Sequence, residues 1–345
     1  MNRTIRRTSA LAALTVAAMA AGTACTVPDP DAPASSAGDD GQTSEVDTVE
    51  QGANLNIWYI NILTSYPAWN ASMEKFVDEA EVGNYTATAV GNTTVDIPAN
   101  ISQAEQAMAD GADGIIICDA DPTTWGSTIS KAQEQGVVVV TIGCVDEISD
   151  YSVGTDNKSF GEAAADQIAQ DVGEDAVVGI ISTDASTPNQ VAQIEAFEAW
   201  SVQQYPDMVV AASEYDNSET STAATKMSAM LAANPDINTI WCVEGNCPAA
   251  ASAGLSEAGK APGDVYVLGI DTADATRQMM EDGWVNATLD QCWFGATQLV
   301  TDLIRGAKEG NPSPQQSWAI PVQAVSADEI GGYAGCPESI YPTLD

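Results

Sequence analysis

The chain has 345 residues, with 49 Asp and Glu against 11 Lys and Arg and no His, for a formal net charge of −38. So negative a surface repels nucleic acid and anionic lipid headgroups, and the lack of His excludes Ser-His-Asp and Cys-His nucleophiles and any His general base. No GxSxG, no GxxxxGK(S/T) and no strand-following GxGxxG occurs, so among enzymes only a carboxylate-pair hydrolase stays open.

The first seven residues carry Arg3, Arg6 and Arg7 and no acid, and Ala10 to Gly22 is small and apolar. This is the pattern of a secretory signal, too short to span a bilayer permanently. "GTAC" at Gly22–Cys25 resembles the lipobox of bacterial lipoproteins, with Gly22 where Leu is usual. The resemblance implies a leader over 1–24 and a lipidated Cys25 as the mature N-terminus. Loss of the leader's three Arg takes the net charge from −38 to about −41. Thr26 to Ala53 is Pro-, Asp- and Ser-bearing with almost no large apolar group. It cannot bury enough surface to offset its ordering entropy, so 25–53 is expected to be a disordered tether, reaching on the order of 30 Å.

From Leu55 onward, short apolar runs alternate with segments of helical period. The predicted strands are "LNIWYI" (55–60), "YTATAV" (85–90), "GIIIC" (114–118), "VVVVTI" (137–142), "AVVGIIS" (176–182), "MVVAAS" (208–213), "TIWCV" (239–243), "VYVLGI" (265–270) and "VNATLD" (285–290). Between them lie "ISQAEQAMADG", "SKAQEQG", "SFGEAAADQIAQDVG" and "TAATKMSAMLAANP", several ending in Gly or Asn-Pro, which stop helices. Continuous apolar strands each followed by a helix predict a parallel sheet covered on both faces. The orders "GIIICDAD…ISKAQEQGVVVVTIG" and "TIWCVEGN…LSEAGKAPGDVYVLGID" echo one another, and about 290 residues beyond the tether suffice for two α/β halves.

In open parallel sheets ligands bind at the carboxyl ends of the strands. The loops so selected carry Tyr66, Trp69, Asp119, Asp121, Asp184, Asn189, Gln190, Glu244, Asn246, Asp271, Gln291 and Trp293. Carboxylates and amides take hydroxyl protons and indoles cover C–H faces, which suits a polyhydroxylated ligand. Bland roles compete at each position. Asp121 before Pro122 and Asp184 before Ser186 could cap helices, Trp69 and Trp293 could be packing residues, and Trp58 and Trp241 lie inside strands and read as core.

Six cysteines follow Cys25: Cys118, Cys144, Cys242, Cys247, Cys292 and Cys336. An even number in an exported chain suggests disulfides, with 15 possible pairings. Cys118 and Cys144 end successive predicted strands and are expected to pair; the other four stay open. With no CxxC and no His, a structural zinc site is unsupported, and neither metal nor cofactor is expected.

The motifs "AMADGADGIIICDADPTTW" (107–125), "SVGTDNKSFGEAAADQIA" (152–169), "NPDINTIWCVEGNCPAAASAGLSEAG" (234–259), "VYVLGIDTADATRQMMEDG" (265–283) and "ATLDQCWFGATQLVTDLIRG" (287–306) stand in an order that resembles the type I solute-binding proteins, the ribose-binding-protein-like sugar receptors of ABC transporters. The likeness runs from about 55 to 325. It implies an α/β, periplasmic-binding-protein-like I fold: two similar Rossmann-like lobes with parallel sheets, joined by a three-crossover hinge that closes over ligand. The lobes would be 54–157 plus 291–325 and 158–290, with 326–345 a C-terminal tail. By the same resemblance Trp69 falls at the ring-stacking position and Tyr66 replaces a usual Asn. Asp119 and Asp121 fall in the first lobe's acidic loop, Glu244 stands where Asn is common, Asp271 keeps the Asp of a G-x-D, and Gln291 keeps a hinge-side amide. Many relatives place an Arg after the strand matching "GIIS"; "STDASTPNQVAQIEAF" has no Arg or Lys, so Asn189, Gln190 or Gln193 must substitute. The calcium loop of some relatives is not found.

The expectation is therefore a monomeric receptor, not an enzyme, lipid-anchored at the outer face of the cell membrane, with no nucleic-acid partner. It would capture a neutral sugar or polyol and deliver it to an ABC permease. A cleft with Asp121, Glu244 and Asp271 and no evident cation would instead suit an amine-bearing ligand. Two further alternatives are a sensor reporting to a membrane kinase and a carboxylate-pair glycosidase.

Overall fold

The computed structural model describes residues 48–118, 122–143, 146–342 and 344. The leader, Cys25, the tether up to residue 47, Asp119, Asp121 and Cys144 lie outside them. The first five strands are β1 (Leu55–Asn61), β2 (Tyr85–Gly91), β3 (Gly114–Cys118), β4 (Val138–Gly143) and β5 (Tyr151–Thr155). The next five are β6 (Val177–Ser182), β7 (Val209–Tyr215), β8 (Thr239–Cys242), β9 (Tyr266–Ile270) and β10 (Ala287–Asp290), followed by β11 (Ser317–Ile320) and β12 (Gln323–Ser326). Every strand predicted from an apolar run forms, with ends shifted by at most two residues. The three unforeseen strands, β5, β11 and β12, have no such run.

The strands form two six-stranded sheets, ordered β11-β5-β4-β3-β1-β2 and β12-β10-β9-β8-β6-β7. All pairings are parallel except β10 with β12. The chain passes between the sheets after β5, after β10 and between β11 and β12. The last crossing thus falls at 321–322, because Gln323–Ser326 pairs with β10, whereas the sequence reading carried the first lobe to 325.

Alternation along each strand splits the first sheet's core into two layers. Ile57, Tyr59, Val138, Val140 and Ile142 pack against Leu299, Leu303 and Ile304 of the helix Thr297–Lys308. On the opposite face Trp58, Ile60, Ile115 and Ile117 meet Trp125 and Ile129 of the helix Pro122–Glu134. In the second sheet Trp241 stacks on Phe197 at 4.7 Å, so both in-strand tryptophans are core. Asp96 accepts the Ala99 N–H at 3.0 Å to start the helix Ile97–Ala109, one N-cap worth about 1 kcal/mol.

Residues 48–53, expected to belong to the disordered tether, are instead pinned to the first lobe. Val49 N–H donates to Lys308 O at 2.7 Å, Gly52 N–H to Glu309 at 2.8 Å, and Arg305 to Ala53 O at 3.0 Å. These partners, one carbonyl and two side chains, supply the ordering energy that composition alone does not.

Two disulfides are formed among the described residues, Cys242–Cys247 and Cys292–Cys336. Cys118 is buried at the end of β3, and its expected partner lies outside the described residues. The second bridge ties the C-terminal tail to the segment that re-enters the first lobe. Tyr333 Oη donates to Asp290 at 2.9 Å, Tyr341 Oη to Cys292 O at 2.9 Å, and Lys75 pairs with Glu338 at 3.1 Å. Arg277 binds Tyr333 O at 2.9 Å, so the tail touches elements of both lobes. Among the described residues no helix is long and apolar enough to cross a membrane.

Candidate functional site

The carboxyl ends of β1, β4, β6, β7, β8, β9 and β10 lead into loops that line one cleft of about 380 Å³. This is where open parallel sheets place ligands, since the strands end there and the loops are unconstrained by pairing. Of the residues selected from the sequence, Tyr66, Trp69, Asn189, Gln190, Glu244, Asn246, Asp271, Gln291 and Trp293 line it.

Asp271 sits at the centre. Its backbone is left-handed, φ 58, a conformation that Asp and Asn tolerate best among non-glycine residues. The turn is fixed by its own N–H to Leu289 O at 2.9 Å and by Thr288 Oγ1 donating to its carbonyl at 2.7 Å. One carboxylate oxygen accepts from Tyr66 Oη at 2.7 Å and the other from Gln291 Nε2 at 3.0 Å. Tyr66 follows β1 and Asp271 follows β9, so this bond joins the loops of the two sheets across the cleft. Burial pushes the Asp271 carboxyl up to about 7, and burial, then Asp271, push the Tyr66 hydroxyl well up, so Tyr66 remains a donor. Gln291 is oriented in turn by Trp293 Nε1 and Thr155 Oγ1, each 3.4 Å from its Oε1.

Trp69 and Trp293 lie 4.4 Å apart, tilted by 52°, and Phe294 meets Trp69 edge-on at 5.9 Å. They form one aromatic wall. Gly143 allows it: with φ +95, a Cβ there would lie 2.5 Å from the Trp69 ring and 3.2 Å from Trp293. On the second lobe, Gln190 is locked by Thr183, whose N–H donates to Oε1 at 2.8 Å, while Nε2 donates to Thr183 Oγ1 at 3.0 Å. Gln193 donates to Asn157 at 3.0 Å, and its buried Oε1 meets no donor among the described residues. Glu244 accepts from Cys247 N–H at 2.6 Å and from Asn246 Nδ2 at 3.0 Å, a loop closed by the Cys242–Cys247 disulfide.

Asp184 is drawn elsewhere. Its carboxylate accepts from Ser186 N–H and Oγ at 2.6 and 2.7 Å and from Thr187 N–H and Oγ1 at 2.9 and 3.1 Å, and it is not among the lining residues. Those hydrogen bonds hold it below the usual carboxylate range, the behaviour of a residue that organises the turn before the helix Pro188–Gln204. The sequence reading passed over Phe294, Ser218, Gly143 and Gly245, all of which line the cleft. Only Phe294, next to Trp293, carried a visible signal.

No Lys or Arg lines the cleft among the described residues. Lys75, Lys131, Lys158, Lys226, Arg305 and Lys308 are engaged in ion pairs, and Arg277 is fixed on backbone carbonyls. Asp290, Cys292 and Cys336 converge, but the two sulfurs are bonded to each other, so no thiolate pair is available to a metal.

Gly245 faces Tyr66, and a Cβ there would lie 2.2 Å from the Tyr66 hydroxyl. Gly245→Ala should cost about 1–3 kcal/mol through overpacking, read by denaturant unfolding. Adding Tyr66→Ala should recover most of that loss; additive losses would mean that the two residues do not meet.

Comparison with known proteins places these observations. A sugar-binding protein of a sugar ABC transporter from Bacillus halodurans superposes with a TM-score of 0.75 at 21% identity, covering 81% of this chain and 99% of that one. A solute-binding protein from Burkholderia graminis, solved with D-arabinose, gives 0.73 at 18% identity, covering 83% and 99%. At these identities the likeness is one of fold. The D-ribose/D-allose-binding protein of Pseudomonas aeruginosa is 28% identical over 213 residues, 59% of this chain and 65% of that relative, which is under two thirds of its length. The family described as periplasmic binding protein domain matches residues 57–312, and the chain is a member of that family of binding proteins.

Proposed function

We propose that this chain is the solute receptor of an ABC transporter, capturing a neutral monosaccharide or polyol in the cleft between its sheets. The observation that carries the reading is a cleft that joins an aromatic wall to carboxylate and amide acceptors with no Lys or Arg lining it among the described residues. Such a lining pairs with hydroxyl protons and C–H faces and disfavours carboxylate or phosphate ligands. The names of similar proteins, which bind D-ribose, D-allose or D-arabinose, support it. Asn189, Gln190 or Gln193 stands in for the Arg of many relatives, and Asp119 and Asp121 belong to the same proposed set.

The chain is exported, in this reading, and held at the outer face of the membrane by lipid on Cys25, acting as a monomer that hands its ligand to a permease. Closure of the loops bearing Tyr66 and Asp271 is the signal, because a permease can discriminate the filled receptor only through its shape. One observation favours a second reading: Glu244 and Asp271 beside Trp69 and Trp293 also make a cage for an amine-bearing ligand.

A thermal-shift screen of the leader-free chain against neutral sugars, polyols and small amines tests this. Saturation at 100 times Kd stabilises by about 2.7 kcal/mol, raising the midpoint by about a degree or two or more. A sugar or polyol hit without product formation is the expected result. An amine-only hit transfers the site to the second reading, product formation makes the chain a glycosidase, and silence in all three sets removes the ligand class.

A further inference from the structure

One fully buried acid beside the cleft has no part in the reading above. Asp216 follows β7 and is 0% exposed. Its N–H donates to Ser182 O at 3.0 Å, and its Oδ1 accepts the Ser218 N–H at 2.9 Å. Its Oδ2, equally buried, has no donor among the described residues. An ionised carboxylate oxygen left that way is costly.

Burial first, then Glu244, push the Asp216 carboxyl up to about 8. Glu244 is itself 7% exposed, lines the cleft and accepts from Cys247 N–H and Asn246 Nδ2. Asn246 also donates to Ser218 O at 3.1 Å, so the two acids share one scaffold. Among the described residues no Lys or Arg pairs with either acid. Lys226, on the neighbouring helix Thr220–Ala233, is taken by Glu214 at 2.7 Å, and Glu219, three residues on, is exposed. Two ionised carboxylates repel strongly in such a place; one proton between them turns the orphan acceptor into a donor.

We propose that Asp216 is a positioning residue of the cleft, sharing one proton with Glu244 so that the pair carries a single negative charge and Glu244 meets the ligand as a fixed acceptor. The inference deepens the proposed function and rests on the cleft being the ligand site. It also names the ligand's charge class. With the shared proton in place, Glu244 accepts from a neutral hydroxyl. When the proton leaves, a second charge pushes Glu244 from its place, weakening a neutral ligand and strengthening a cationic one.

The test uses the leader-free chain with ¹³C-labelled carboxyl groups, followed by NMR from pH 5 to 10. The Asp216 resonance, identified by its loss in Asp216→Asn, should titrate near 8 without any ligand. A midpoint near an ordinary carboxylate's 4 overturns the proposal whatever the chain binds. Binding of D-ribose, D-allose and D-arabinose is then measured at pH 7.5 and 9.5, a window in which Asp271 is largely ionised. Wild-type affinity should fall by about tenfold, while Asp216→Asn, whose amide still donates to Glu244, should stay flat within about twofold. An equal fall in both chains overturns the positioning role. A midpoint near 8 with no sugar bound leaves the shared proton standing and sinks the sugar reading instead.

Discussion

Asp271→Asn should weaken ligand binding by tenfold or more while making the empty protein more stable above neutral pH. The substitution suits the left-handed backbone at this position, φ 58, which Asn tolerates as Asp does. It removes the charge and one acceptor, so Tyr66 and Gln291 can no longer both donate to this side chain. Loss of a charge-assisted bond of this kind is worth about 1.5–3 kcal/mol, or more than tenfold in affinity, read by calorimetry with whichever solute the thermal screen identifies.

The stability arm follows from the titration. Burial raises the folded Asp271 carboxyl to about 7 from an ordinary 3.8, so between those values the folded state binds more protons than the unfolded state. Stability from this group is therefore full below about 4 and is lost as pH rises toward 7. Three units correspond to at most about 4 kcal/mol. The Asn variant escapes that loss, so its unfolding midpoint should overtake wild type between pH 5 and 8. A variant with unchanged affinity would remove Asp271 from the binding site. One less stable than wild type at pH 8 would mean that its two donors outweigh the burial penalty.

Removing the Cys292–Cys336 bridge should lower stability by about 4 kcal/mol, twice the effect of removing Cys242–Cys247. The bridges span sequence separations of 44 and 5, and loop-closure entropy gives about 4 and about 2 kcal/mol for loops of those lengths. The longer bridge also holds the tail through which Tyr333, Glu338 and Tyr341 reach Asp290, Lys75 and Cys292. Cys336→Ser and Cys247→Ser, compared by denaturant unfolding at one pH, give the ranking directly. A loss under about 1 kcal/mol for the longer bridge would mean that the tail is held by its non-covalent contacts alone.

The sequence by itself determined the parallel α/β plan, with two lobes implied by the family resemblance, and the end of the sheets where a ligand would sit. Fully buried parallel strands must be continuous apolar runs, so "GIIIC" or "VVVVTI" can be little else, and the loops after them are fixed by direction. It also marked Tyr66, Trp69, Glu244, Asp271 and Gln291, because planar acceptors and aromatic rings at strand ends are few. What it did not carry was anything set by neighbours distant in the chain. "YSVGT" becomes β5 although Ser, Gly and Thr break its apolar run, since β4 and β11 supply its partners on both sides. "SWAI" and "QAVS" are short edge strands whose ladders decide for them.

The cysteine pairing and the fixing of residues 48–53 likewise required the packed chain, whereas the turn that holds Asp184 is local, two and three residues long, and matches the capping role its place before Ser186 offered. Asp216 is the clearest case. As a sequence letter it was one acid among 49 Asp and Glu. Only the tertiary structure removes its water, places Glu244 beside it and leaves one oxygen without a donor. Burial and charge proximity are properties of the folded interior, and they decide what an acid can do.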